Sequence, residues 1–88
     1  MFKSTKEFDH AMCRILTNIR DGNTDLNQLE SLLGLESDDY QDALKRLIDL
    51  NLITGVMYTK TIGGLVFNVH KPRLTYEGLA FIESHENQ

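Results

Sequence analysis

The chain has one cysteine, one proline and no tryptophan among its 88 residues, and its nine Lys and Arg are outnumbered by thirteen Asp and Glu. The lone Cys13 cannot close an internal disulfide, which predicts a reducing, cytoplasmic setting. No run approaches 18 consecutive apolar residues, so no membrane-spanning helix is expected. The opening Met1-Phe2-Lys3-Ser4 leads into charge and not into an apolar segment, so no secretory leader is expected either. A formal charge of −4 argues against non-specific nucleic-acid binding by the surface as a whole. A chain of this length predicts one domain, residues 1–88, burying about 60–65% of its unfolded surface. That leaves little room for an enzyme cleft with walls of its own.

The charge that is present is unevenly spread. Residues 23–53 hold seven acids and two bases, whereas residues 54–75 hold Lys60, Lys71 and Arg73 and no acid.

Helical periodicity dominates the first half. Ser4 stands three residues before Glu7, the spacing of a capping box, and Phe8, Met12, Ile15, Leu16 and Ile19 follow on one stripe. A helix over about 5–21 is expected, ended by Asp21-Gly22-Asn23. Thr24 or Asp25 caps a short helix over 25–33, with Leu26, Leu29, Leu32 and Leu33 on its apolar side. A third helix over 38–50 carries acids in its first turn, which suits the helix dipole, and buries Tyr40, Ala43, Leu44, Leu47 and Ile48. Asp42 and Arg46 are spaced for an ion pair of about 0.2–0.5 kcal/mol. Asn51 is suited to a left-handed C-terminal position, with Leu52 folding back as its hydrophobic contact.

The period then changes from 3.6 to 2. Residues 54–61 and 65–71 read as two strands with Gly63-Gly64 as their turn, and Pro72, which cannot donate to a ladder, closes the second. Val56 and Tyr58 share one strand face, and Leu65, Phe67 and Val69 share one on the other strand. Tyr58 and Phe67 are read as core in preference to stacking platforms. Thr75 caps a last helix over 76–85 with Leu79, Phe81 and Ile82 turned inward. A further short strand near Asn23-Thr24 would complete a three-stranded sheet.

This order, three helices, a Gly-tipped hairpin wing and a C-terminal helix, is that of an α+β winged helix-turn-helix, with Gly34-Leu35-Glu36-Ser37 as the helix-helix turn. The run Ala43 to Ile53 resembles the recognition helix of winged-helix proteins leading into the wing. Arg73-Leu74-Thr75-Tyr76-Glu77-Gly78-Leu79 is similar to the L-T-x-x-G that follows the wing in the MarR and PadR groups. The helix-1 opening, the Leu33-Gly34-Leu35 turn and Leu74-Thr75-Tyr76-Glu77-Gly78-Leu79-Ala80-Phe81-Ile82-Glu83 resemble the YjcQ family, short winged-helix proteins of Gram-positive bacteria and their prophages. That resemblance implies the fold and a phage-related setting, and it carries over no activity and no site residues.

For function, DNA contact and protein contact both stand. In a helix-turn-helix protein the third helix meets base edges and phosphates. Here Gln41, Lys45 and Arg46 are the residues suited to that task, but Glu36, Asp38, Asp39, Asp42 and Asp49 share the surface and leave it at −3. Lys60, Lys71 and Arg73 on the wing are the other candidates for phosphates, with a salt slope of magnitude near 3 at most. A DNA-binding regulator using weak wing contacts is one reading. The alternative is a protein-interaction module whose acidic third helix meets a basic partner, or a homodimer joined through terminal helices.

No catalytic residue, metal or cofactor is expected. His10 and Cys13 lie three apart, but zinc needs about four ligands, and His70 and His85 do not supply a second pair. Cys13 lies roughly 130° from the apolar stripe at about 100° per residue, so it is exposed or in a dimer contact. His10 is the only base near it, with no third group to orient it. Gly63-Gly64 is followed by a strand, so it is not a phosphate loop.

Overall fold

The computed structural model describes residues 2–86, apart from the side chains of Asn27 and Glu86. Three helices come first: α1 (Thr5–Arg20), α2 (Leu26–Leu33) and α3 (Ser37–Asp49). An antiparallel hairpin of β1 (Ile53–Thr61) and β2 (Gly64–Leu74) follows, and α4 (Tyr76–Glu86) ends the chain. The architecture is α+β.

Several helix ends have a local cause. The Ser4 hydroxyl accepts the Glu7 amide at 3.1 Å, and the Glu7 carboxylate reaches back to the Lys3 amide at 2.8 Å, one residue further than the reciprocal box requires. At the far end of α1 the Gly22 amide donates to Ile19 and the Asn23 amide to Asn18 at 2.9 Å. That use of the Asn23 amide is why no strand forms there. The Asn23 side chain also turns back toward Asn18 at 3.5 Å, and among the described residues the sheet has only its two strands. Asp25, and not Thr24, caps α2 by accepting the Gln28 amide. Asn51 takes the left-handed conformation at φ 58°, and the Leu52 amide returns to the Leu47 carbonyl at 2.9 Å to close α3.

Ile15, Leu29, Leu47 and Ile82, one from each helix, are fully buried and meet in a single core with Leu52, Ile53 and Val56 at the base of the hairpin. Each such side chain contributes about 1.5–3 kcal/mol over leaving it in water. Tyr40 joins them with its hydroxyl donating to the Leu26 carbonyl at 2.5 Å, which fixes the end of α2 against α3. Burial, then the nearby carboxylates of Glu30 and Asp25, push its phenol far above the ordinary tyrosine range. Among the described residues no helix is long and apolar enough to cross a membrane.

The hairpin departs from expectation in three ways. Thr61 pairs with Gly64, so the two-residue turn is Ile62-Gly63 and Gly64 already belongs to β2. Pro72 does not close the second strand, which runs on to Leu74. The register shifts between the Thr54–Arg73 and Val56–Val69 pairs, leaving Gly55 opposite His70, Lys71 and Pro72. Pro72 is tolerated because it lies in that bulge, where a ladder donor is not needed. A Cβ on Gly55 would lie 2.5 Å from the carbonyl oxygens of both His70 and Lys71, and its φ is +81°.

Helix α4 also presents a different face. Thr75 caps it by accepting the Gly78 amide at 3.0 Å, and its hydroxyl donates to the Asn51 carbonyl at 2.7 Å. Gly78 lies directly against the Leu52 carbonyl, leaving no space for a side chain. The buried stripe therefore runs from Gly78 to Ile82, with Phe81 half-buried beside it. Leu79, expected inside, is turned out and 42% exposed, next to Tyr76 at 83%.

Candidate nucleic-acid interface

The outward side of α3 lies between two walls. On one side it forms, with the start of α1, a cleft of about 530 Å³ with Phe2, Phe8 and Met12 on its floor. On the other it meets Tyr58, Phe67 and Val69 of the hairpin.

Lys45 is committed to its own molecule. Its Nζ lies 3.0 Å from Asp49 and 5.5 Å above the Tyr58 ring, while the Tyr58 hydroxyl donates to the other Asp49 oxygen at 2.7 Å. The hydrogen bond from Tyr58, then that from Lys45, holds the Asp49 carboxyl below the usual carboxylate range. The same hydrogen bond to Asp49 pushes the Tyr58 phenol up, and Asp49 also raises the Lys45 ammonium. On α3 Lys45 pairs with Asp49, and Tyr58 gives Asp49 a second partner that fixes its orientation; the Asp42–Arg46 pair expected from spacing shares no residue with it and does not form among the described residues. Tyr58 is half-exposed and is not a core residue; Phe67 packs on the core 6.2 Å from it.

Tyr58, expected in the core, is instead the partner of Asp49 on the exposed side of α3. The four-residue spacing from Lys45 to Asp49 is a readable signal; the contact to Tyr58, across the α3–β1 turn, has none. Changing Asp49 to Asn is expected to lower the Tyr58 phenol pKa toward its ordinary value while leaving Tyr40 raised. Following the tyrosine ring signals against pH by NMR checks both.

The other sequence candidates do not converge. Gln41 is half-buried beside a surface cavity of about 380 Å³ shared with Phe67 and Val69. Arg46 is exposed on the opposite side, at the rim of the α1–α3 cleft. Lys60 lies on β1 opposite Leu65, near the hairpin tip. Lys71 occupies the bulge with φ 54°, and Arg73 pairs with Thr54 at the base. At about 3.3 Å per residue, Lys60 and Arg73 are separated by ~20 Å along the hairpin. All three hairpin cations are exposed, and among the described residues none of them forms an ion pair.

The thiol and histidines form no ligand set: among the described residues no three of His, Cys, Asp and Glu gather as a metal site. Cys13 is half-buried against the core. His85 lies 3.7 Å from Asp9 and stacks on Phe81, linking α4 to α1.

These features define a small α+β domain in which packed helices carry a basic hairpin. A family model described as YjcQ protein matches residues 13–87, nearly the whole chain, and the chain belongs to the YjcQ family. The match takes in the Leu33-Gly34-Leu35 turn and the Leu74–Glu83 segment but not the Ser4–Glu7 opening of α1. No curated protein and no solved structure matches the chain.

Proposed function

We propose that this YjcQ-family protein is a winged helix-turn-helix domain acting as a DNA-binding regulatory protein, with the β1–β2 hairpin as the wing that meets the phosphates. The observation that carries this reading is the contrast between two surfaces. Lys60, Lys71 and Arg73 are exposed in a segment with no acid, whereas Lys45 is neutralised by Asp49 and its neighbours Asp38 and Asp42 are exposed acids. A polyanion is attracted to the first surface and repelled by the second. Gln41 and Arg46 are then secondary contacts at the edges of α3. In this reading the protein works in the cytoplasm, in a phage-related setting, with no catalytic residue, metal, cofactor or membrane attachment.

The acidity of α3 favours a second reading, a protein-interaction module that keeps the scaffold and offers Asp38 and Asp42 to a basic partner.

Titrating a mixed genomic duplex pool separates the two. Three phosphate contacts give a salt slope near −2.7, so wild-type affinity should fall about 40-fold between about 50 and 200 mM salt. The Lys60→Glu/Lys71→Glu/Arg73→Glu variant should bind at least about tenfold more weakly at the lower salt and lose most of the slope. Absence of salt-sensitive binding by the wild type at about 50 mM would end the regulator reading and favour the second.

A further inference from the structure

The hairpin has an inner and an outer face. Tyr58 and Phe67, paired across the two strands, look toward α3 and the core. Met57 with Asn68 and Thr59 with Val66 are the pairs on either side of them, and so lie on the opposite face. All four outer residues are exposed, Met57 at 71% and Val66 at 48%. Among the described residues, neither the Thr59 hydroxyl nor the Asn68 carboxamide makes a hydrogen bond. Unused donors and acceptors therefore stand on one diagonal of this face, and apolar side chains on the other.

Charge selects what the outer face can meet. Lys60 near the tip and Lys71 and Arg73 at the base are exposed cations, and residues 54–75 contain no acid. Asp49 of α3 is held on the inner side, by Tyr58. A polyanion approaching the outer face is attracted at both of its ends and does not face Asp49.

Dimensions and side-chain types narrow the choice further. Strands about 5 Å apart make a ribbon that the major groove of B-DNA, about 12 Å wide, admits. The minor groove, about 6 Å wide, is too narrow for it without deformation. In the major groove an Asn side chain pairs with adenine, accepting from N6 and donating to N7, while apolar groups, the threonine methyl included, meet the thymine methyl. The outer pairs offer no Arg or Lys for guanine and no Asp or Glu for cytosine.

We infer that the outer face of the hairpin reads A·T base pairs in the major groove of duplex DNA, with Asn68 on an adenine and Met57, Thr59 and Val66 against thymine methyls. The inference rests on the DNA-binding role proposed for the hairpin, and not on the edge contacts of α3, and adds base preference to that role.

Selection from a randomised duplex pool at about 50 mM salt tests it. The wild type should enrich a site containing A·T pairs. Asn68→Ala should lower discrimination at one adenine of that site about five- to a hundredfold and leave the salt slope unchanged, since the phosphate contacts remain. Lys60→Ala should reduce the magnitude of the slope by about 0.9 and keep the discrimination. In the enriched duplex, 7-deazaadenine at that position lacks the N7 acceptor; it should weaken wild-type binding and make no difference to Asn68→Ala. A preference that Asn68→Ala retains in full overturns the inference. So does sensitivity to 3-deazaadenine, a minor-groove change, in place of 7-deazaadenine. Salt-sensitive binding with no enriched site also overturns it but leaves the phosphate contacts standing, whereas no salt-sensitive binding by the wild type removes both.

Discussion

Gly78→Ala is expected to destabilise the protein by about 3 kcal/mol, at the upper end for overpacking. An added Cβ would lie inside contact distance of the Leu52 carbonyl oxygen, a rigid backbone atom. That same oxygen accepts the Thr75 amide at 3.1 Å, and Thr75 in turn holds Asn51 and caps α4. The methyl therefore cannot be accommodated by a side-chain rotation. Either α4 retreats, opening the packing around Ile82, or the Leu52–Thr75 hydrogen bond lengthens. A domain of 88 residues has about 4–13 kcal/mol in hand, so the loss is a large fraction of the whole. Thermal unfolding should show a fall in Tm of about 12–24 °C. A fall of less than about 4 °C would mean that α4 does not press on Leu52 as described.

Gly55→Ala is expected to cost about 3 kcal/mol for a different reason. Its φ of +81° already penalises a side chain, by about 1–2 kcal/mol. Its Cβ would also lie 2.5 Å from two carbonyl oxygens on β2. Both strains vanish if the bulge is lost, but losing it shifts the register of every pair from Val56–Val69 to the tip relative to Ile53–Leu74. Denaturant unfolding should report the stability loss. The hairpin amides of residues 56–69 should lose hydrogen-exchange protection before α1 does, since α1 packs on α3 and α4 as well as on β2.

These two glycines mark where the sequence was and was not readable. Chain-local signals could be read directly: Ser4 with Glu7, Asn51 followed by Leu52, and the change of period after Leu52 each act within a few residues. Gly78 stands in the quoted Leu-Thr-x-x-Gly segment, but only its contact with Leu52, 26 positions away, explains it. Assigning Leu79 to the core followed from reading α4 by side chains alone, when its innermost position is occupied by backbone. The bulge depends on register between Gly55 and Lys71, which no single-strand pattern encodes, so Pro72 was read as a strand end. In the candidate interface the exposed hairpin cations could be read from composition. The four-residue spacing of Lys45 and Asp49 could be read as well, but not the hydroxyl of Tyr58 that joins them from another element.

In the proposed function the hairpin, more than α3, meets DNA. Amide chemical-shift mapping during titration with a short duplex at low salt tests it most directly. Perturbations concentrated at residues 59–66 and 71–73, with Asp38, Asp42 and Lys45 unmoved, are the predicted result. Perturbations centred on residues 38–46 of α3, or none at any duplex concentration, would contradict it.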